Sequence, residues 1–334
     1  MANNDRDITI DMAKAVGMAL VVLGHTSGSG EGVGLEHARQ FLYQFHVPLF
    51  FFLSGYCFKE SESWGSFAIK KIRRLYLPFV ISNLLFYCIH VISHALVGES
   101  FLAVDILKHC IKIMLGLSLT PLGGATWFLI SLLEALFLYK ILVTLLCRLP
   151  SAFVLLSSSL IGIVGSLLDL PWGISSAFIA LFFVCIGHFT KRYVDISRMR
   201  GRIKILLGLI GGGVVLGFSW INHPDIAFHR FGSIPLFWIS ALIGICMVCL
   251  LCSYFSQFQI LSFLGKWGQQ TIWILLGHFT AFKVVAFIQH WVLHLSLQDT
   301  LFAHPCYYVG GWWASAYFIS GFFLPLLISR VFSK

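Results

Sequence analysis

Ten stretches of the chain stay apolar for about twenty residues each, the length an α-helix needs to cross a hydrocarbon core of roughly 30 Å. They run approximately over 8–27, 40–58, 75–97, 126–147, 151–168, 172–189, 203–220, 233–255, 271–294 and 306–330. Inside hydrocarbon a backbone has no water to bond, so such runs must fold as helices or close into a barrel. A barrel needs short alternating strands, whereas these runs are continuous. The expected fold class is therefore all-α, a polytopic transmembrane helix bundle of about ten spans. Composition agrees, with 58% hydrophobic residues, 11% charged and a mean hydropathy of +0.87. A soluble domain carries about a quarter charged residues and could not bury this much apolar surface. No linker marks a second unit, so a single membrane domain over 1–334 is expected, with no separate soluble domain. The weaker stretch 99–120 carries Glu99, Asp105, Lys108 and Lys112 and reads as an amphipathic surface helix. Asp5, Arg6 and Asp7 precede the first run and no small-residue cleavage site follows it, so this helix is not a removable signal.

The net charge of +9 is unevenly placed. Lys59, Lys70, Lys71, Arg73 and Arg74 crowd one loop, and Lys191, Arg192, Arg198, Arg200, Arg202 and Lys204 another. With ten alternating spans both loops fall on one side, which places both termini in the cytoplasm. No zinc-finger spacing or basic–aromatic interleaving points to nucleic acid. Most histidines, His37, His46 and His90 among them, map near the opposite face, as His25 does; His188 and His278 do not. Neutral imidazoles suit interfacial depth, and a polar outer vestibule for a hydroxylated substrate is the sharper alternative. Cys246, Cys249 and Cys252 form C-x-x-C-x-x-C in the middle of a span. Without a second ligand cluster they read as small side chains for close helix packing, and no metal is expected.

The first run reads RDITIDMAKAVGMALVVLGH and places Asp11, Lys14 and His25 in or beside the membrane. Intramembrane ionisable groups are costly, so each is a functional candidate. Asp11 and Lys14 are spaced to pair on one face. His25 lies eleven residues past Lys14, three turns or about 16 Å along the same stripe. A snorkelling lysine and a packed histidine are the plainer alternative; three such groups on one stripe favour function. The second run opens with FHVPLFFFLSG, with His46 at its mouth and Ser54 and Gly55 inside. IKKIRRLYLPF follows, where Lys70, Lys71, Arg73 and Arg74 serve topology or an anionic ligand, since guanidinium grips phosphate oxygens bidentately.

The Lys-x10-His of the first run, FHVPLFFFLSG and the basic run ending in LYLP resemble the bacterial membrane acyltransferase 3 family. GGATWFLISLLEALF at 123–137 and GKWGQQTIWILLGHF at 265–279 are similar to later pieces of that family. The resemblance implies an integral O-acyltransferase of the bacterial inner membrane. It would move acetyl, or another short acyl group, from acyl-CoA to a hydroxyl of a lipid-linked or surface glycan. It implies His25 as the essential histidine, Lys14 as its upstream cation, and Lys70, Arg73 and Arg74 as the basic motif that meets the donor. From the stripe and the basic run themselves, Asp11 joins the expected catalytic set and Lys71 the donor-binding one. His46, Ser54, Trp127, Glu134 and His278 are the expected substrate-binding side chains. Acetyl-CoA is then a substrate and no cofactor is permanently bound. Some members carry an extracytoplasmic hydrolase-like domain; here the chain ends shortly after its last apolar run, so transfer finishes in the membrane domain or with a separate periplasmic partner. Histidine suits the chemistry because an alcohol is a poor nucleophile and needs a base that titrates near working pH. The rival readings are a transporter or flippase, with Asp11, Lys14, Glu134, His278 and Lys283 along its path, and a non-catalytic envelope anchor. The sequence shows neither clear inverted repeats nor broken helices for the former.

Overall fold

A computed structural model describes residues 7–170 and 173–332. Asp5, Arg6 and residue 172, where the sixth run begins, lie outside the described residues. Among the described residues the chain is helical with no named strand. Its helices are α1 (Ile8–Gly24), α2 (Val33–Tyr43), α3 (His46–Tyr56), α4 (Trp64–Lys71), α5 (Leu77–Leu96), α6 (Ala103–Met114), α7 (Trp127–Leu145) and α8 (Ser151–Leu167). They continue with α9 (Ile174–Tyr193), α10 (Gly201–Ser219), α11 (Ile234–Phe255), α12 (Ser262–Gly268), α13 (Thr271–Leu293), α14 (Leu297–Phe302) and α15 (Trp313–Phe332). Seven helical segments are long and apolar enough to cross a membrane, and α8 is a shorter apolar helix. The chain is a polytopic helix bundle.

Two expected spans and the expected surface helix differ from the structure. The run 40–58 is two helices, α2 and α3, broken at Gln44 and Phe45. Pro48 explains the break. In a continuous helix it would offer no N–H to the Gln44 carbonyl and its ring would collide with that carbonyl. The side chain of Gln44 stitches the break to the bundle, donating to the Asn222 carbonyl (2.6 Å) and accepting from Ser240 Oγ (2.8 Å). The run 306–330 becomes helical only at Trp313, and residues 303–311 form a loop laid over the end of α1. The amphipathic helix expected in 99–120 exists as α6, but it runs alongside α5. The His109 ring stacks on Tyr87 at 4.1 Å, and the Met114 carbonyl accepts from the Tyr76 hydroxyl.

α1 is the central helix, packed against α3, α11, α12, α13 and α15. Asp7 caps it by accepting from the backbone N–H groups of Thr9 and Ile10. Close crossings rest on glycine, the membrane device for bringing backbones together. A Cβ on Gly268 would lie 1.7 Å from the Asp11 carbonyl oxygen. Gly55 of α3 and Gly187 of α9 face each other's backbones, each with a carbonyl oxygen 2.0 Å from where a Cβ would stand. The two basic loops meet at the Lys14 end of the bundle. Arg192 lies 3.9 Å from Glu60, Lys191 sits 4.6 Å from the centre of the Tyr56 ring, and the Tyr56 hydroxyl reaches Asp7.

Candidate active site

At the Lys14 end, Lys14 pairs with Asp11 at 2.9 Å and Asp11 also accepts from Gln269 Nε2 at 3.2 Å. This fixes the first stripe residue against α12. Between α4 and α5 the backbone passes through one π-helical turn, Ile72–Tyr76. A π-turn inserts a residue and rotates the faces on either side of it. Arg73 and Arg74 stand on that turn and line a cavity of about 540 Å³ together with Lys14, Ser54 and Gln269. Lys70 and Lys71 do not line it. Lys70 is taken up by Glu62 at 3.1 Å, whose carboxyl it holds below the usual range, and Lys71 lies 5.5 Å from the centre of the Phe67 ring. Three cations over one carboxylate make this cavity a site for an anion with several oxygens.

Met18, Leu129 and Leu275 belong to the apolar part of the cavity's lining. Three residues beyond Leu275, about 4.5 Å along α13, the imidazole of His278 lies stacked against that of His25, with ring centroids 5.3 Å apart. His278 is fully buried, and its Nδ1–H donates to the Ile274 carbonyl at 2.9 Å. That bond fixes the tautomer, so Nε2 carries the lone pair. Nε2 is buried with no hydrogen-bond partner. Such an orphan acceptor is costly in a packed interior and marks a place where a hydroxyl or a proton fits. His25 caps the C-terminus of α1 and is partly exposed. Phe279 closes the pair edge-on, 5.0 Å from His25.

Two loops that sequence reading did not single out build the walls. Residues 303–311 are held to the end of α1 by Ser29, which exchanges backbone bonds with Tyr307 and Val309, and by Cys306 Sγ on the His25 carbonyl. Buried Gln289 locks this loop, donating to the Tyr308 carbonyl and accepting from Tyr317. Residues 115–120 enter the bundle as irregular backbone and pass into a 3₁₀ turn, Pro121–Thr126, that leads into α7. Such backbone is tolerated at membrane depth only where protein satisfies it. Fully buried Asn83 does so, donating to Thr126 Oγ1 at 2.8 Å and accepting from the Thr120 N–H at 3.3 Å. Gly123 is required there, since a Cβ would stand 2.2 Å from Asn83 Oδ1. Next to it, Gly124 abuts Phe279 and His304. Asn83 and Gln289 inside apolar runs, and the Pro-Leu-Gly-Gly at 121–124, are the sequence signals that could have found these loops.

The other expected residues are more scattered. His46 is buried at the start of α3, with Nδ1 donating to the Leu42 carbonyl at 2.7 Å and its ring 4.9 Å from Tyr43, whose hydroxyl reaches the Gly24 carbonyl beside His25. Trp127 lines a different cavity of about 400 Å³ with Ser131, Gly173 and Ser176. Glu134 stands near that cavity, its Oε2 buried without a partner and 3.1 Å from where a Cβ on Gly173 would be. Lys140 donates to the Glu60 and Glu62 carbonyls, and Lys283 to those of Leu301 and Ala303. The structure thus brings Lys14, Ser54, Arg73 and Arg74 to one cavity, with Asp11 paired to Lys14. It stacks His25 on His278, which lies one turn of α13 beyond the lining residue Leu275, and it leaves Lys70, Lys71, Trp127 and Glu134 outside the cavity. Among the described residues no group of three His, Cys, Asp or Glu could hold a metal. The nine cysteines are free.

The chain matches the family described as acyltransferase domain, acyltransferase 3, over residues 7–330. Neither curated proteins nor solved structures give a significant match. A match that covers nearly the whole helical bundle, from the cap of α1 to the last turns of α15, leaves one conclusion: the chain belongs to the acyltransferase 3 family and is a multi-pass membrane acyltransferase.

Proposed function

We propose that the protein moves a short acyl group, acetyl in the simplest case, from acyl-CoA to a hydroxyl of an envelope glycan in the bacterial inner membrane. One observation carries this reading: the cavity lined by Lys14, Arg73 and Arg74 is also lined by Leu275, one turn of α13 before His278, whose Nε2 has no hydrogen-bond partner and whose ring stacks on that of His25. The cations suit the phosphates of coenzyme A, and the apolar lining suits a pantetheine arm carrying a thioester toward His25. The positive-inside rule puts the two basic loops, which meet at this end, on the cytoplasmic side, where acyl-CoA is found.

In the step itself the acceptor hydroxyl oxygen attacks the thioester carbonyl carbon as its proton passes to the imidazole of His25. The carbon–sulfur bond then breaks, and the proton neutralises the departing thiolate. His278 is a positioning residue. With its Nδ1–H committed to Ile274, its Nε2 can only accept, which orients the neighbouring ring or the hydroxyl. The test is transfer of label from acetyl-CoA into membrane glycans by the purified, reconstituted protein. Label that appears in glycan only when both the protein and acetyl-CoA are present supports the reading. Movement of an intact solute with no acyl transfer would replace it with a transporter.

A further inference from the structure

Behind the His25 site lies a second pocket that the reaction above does not use. It measures about 260 Å³, and its polar lining comes from His90 and Ser93 of α5, Lys283 of α13 and His304 of the covering loop. This is below the roughly 300–1,000 Å³ of pockets for drug-sized ligands, and it matches one sugar ring. A partition one side chain thick separates it from the catalytic pair. The Phe279 ring stands 5.0 Å from that of His25 and 5.1 Å from that of His304.

The pocket's charge is one-sided. Lys283 is partly buried and, among the described residues, has no carboxylate within ion-pair distance. An ammonium has three donors, and two of them go to the Leu301 and Ala303 carbonyls. The third is left for the pocket that Lys283 lines. No acidic side chain lines this pocket, and Glu99 is bound at 2.5 Å by His94, which shares α5 with His90. A cation withdrawn from water with only carbonyls for company gains most from an anion delivered to it. An oxyanion accepts from such an ammonium with a charge-assisted bond.

We propose that this pocket is a subsite for the sugar unit next to the acylated one, and that it selects a unit bearing an oxyanion, carboxylate or phosphate, held by Lys283. The link to catalysis rests on the acyl-transfer reading; the binding site itself does not. The experiment is therefore titration calorimetry on the reconstituted protein with methyl glucuronide, glucose 1-phosphate and methyl glucoside. Both anions should bind at least about tenfold tighter than the neutral sugar, and the stronger of the two names the oxyanion. Lys283→Met should weaken the preferred anion by about ten- to a hundredfold, Lys283→Arg should retain it, and His25→Asn should leave it unchanged. If Lys283→Met fails to insert, Ser93→Leu, which fills the pocket from α5, should abolish binding of the anion. Equal binding of all three sugars, or anion binding indifferent to both pocket variants, overturns the proposal. Lys283-dependent anion binding in a protein that transfers no acyl group would keep the subsite and remove the acyl-transfer reading.

Discussion

His25 and His278 meet face to face, 5.3 Å between ring centroids, although they come from opposite ends of the sequence. One ring is partly exposed, and the other is sealed with its Nδ1 proton committed and its Nε2 unsatisfied. Two imidazoles in contact act as a unit, and residues that act as a unit do not contribute additively. His25→Asn keeps much of the size of the ring but cannot take a proton at neutral pH. Acylation should fall by about 10²–10⁴-fold while membrane-inserted protein stays at its normal level. His278→Asn should also lose activity, and the double variant should lose little beyond the worse single one. Glycan acylation per inserted protein is the readout. Near-normal activity of His25→Asn would mean that the base lies elsewhere.

Arg73 and Arg74 should separate from Lys70. The π-turn presents the two arginines to the cavity, while Glu62 holds Lys70 away from it. Arg73→Ala and Arg74→Ala should each raise the acyl-CoA concentration needed for half-maximal rate by about ten- to a hundredfold, the worth of a hydrogen bond to a charged group. Lys70→Ala should change it little, because a surface ion pair is worth about 0–1 kcal/mol. A steady-state titration of donor in vesicles of each variant decides this. An unchanged donor requirement in Arg73→Ala and Arg74→Ala would make the basic run a topology signal only, and an equal rise in Lys70→Ala would mean that Lys70 meets the donor too.

What was legible in the sequence follows physical range. The Lys14–His25 stripe could be read because eleven residues are three turns of one helix. The break at Gln44 was missed, because hydropathy runs unbroken over 40–58, although the clash of Pro48 with the Gln44 carbonyl is local. The pairing of His25 with His278 could not be read: it is made between α1 and α13, and periodicity does not carry across helices. Four cations at 70–74 look alike in sequence, and only the π-turn sends two of them to the cavity. Hydropathy also missed the entry of 115–126 into the bundle. The polar groups of that segment are satisfied by Asn83, which itself sits unnoticed in an apolar run.

The α3–α9 crossing gives a stability prediction. Gly55→Ala would put a methyl 2.0 Å from the Val184 carbonyl oxygen, and Gly187→Ala one equally close to that of Phe52. Neither contact is with a flexible side chain, so the helices must move apart at a cost of about 1–3 kcal/mol. Gly213→Ala and Gly217→Ala on α10 meet nothing within 4 Å and should stabilise by up to about 1 kcal/mol through helix propensity. Thermal melts of the four variants in one detergent should split two and two. Tolerance of Gly55→Ala would mean that α3 and α9 are not packed this closely.

The topology is testable where α10 separates two loops. Single cysteines at Lys191 and His223, in a background lacking exposed thiols, should react with an impermeant maleimide from opposite sides of intact cells. Labelling of both from one side would mean that α10 does not cross.

The last prediction concerns Asn83, which touches neither His25 nor the cation cavity. Its amide holds the irregular segment 115–126 by Thr120 and Thr126, and that segment presents Gly124 to Phe279 and His304. Asn83→Leu keeps the volume and leaves the Thr120 N–H and Thr126 hydroxyl without this partner. A buried unsatisfied group costs about 1–3 kcal/mol, which the loop can relieve only by moving toward water. The expected signature is local. Amide exchange over 115–126 should quicken and transfer activity should drop, while α8 and α10, packed chiefly on α9 and α11, keep their protection. Asn83→Asp retains the acceptor for Thr120 and should recover part of both. Quickened exchange throughout the bundle would assign Asn83 to global stability. Unchanged exchange in 115–126 would show that the segment is held by something other than this amide.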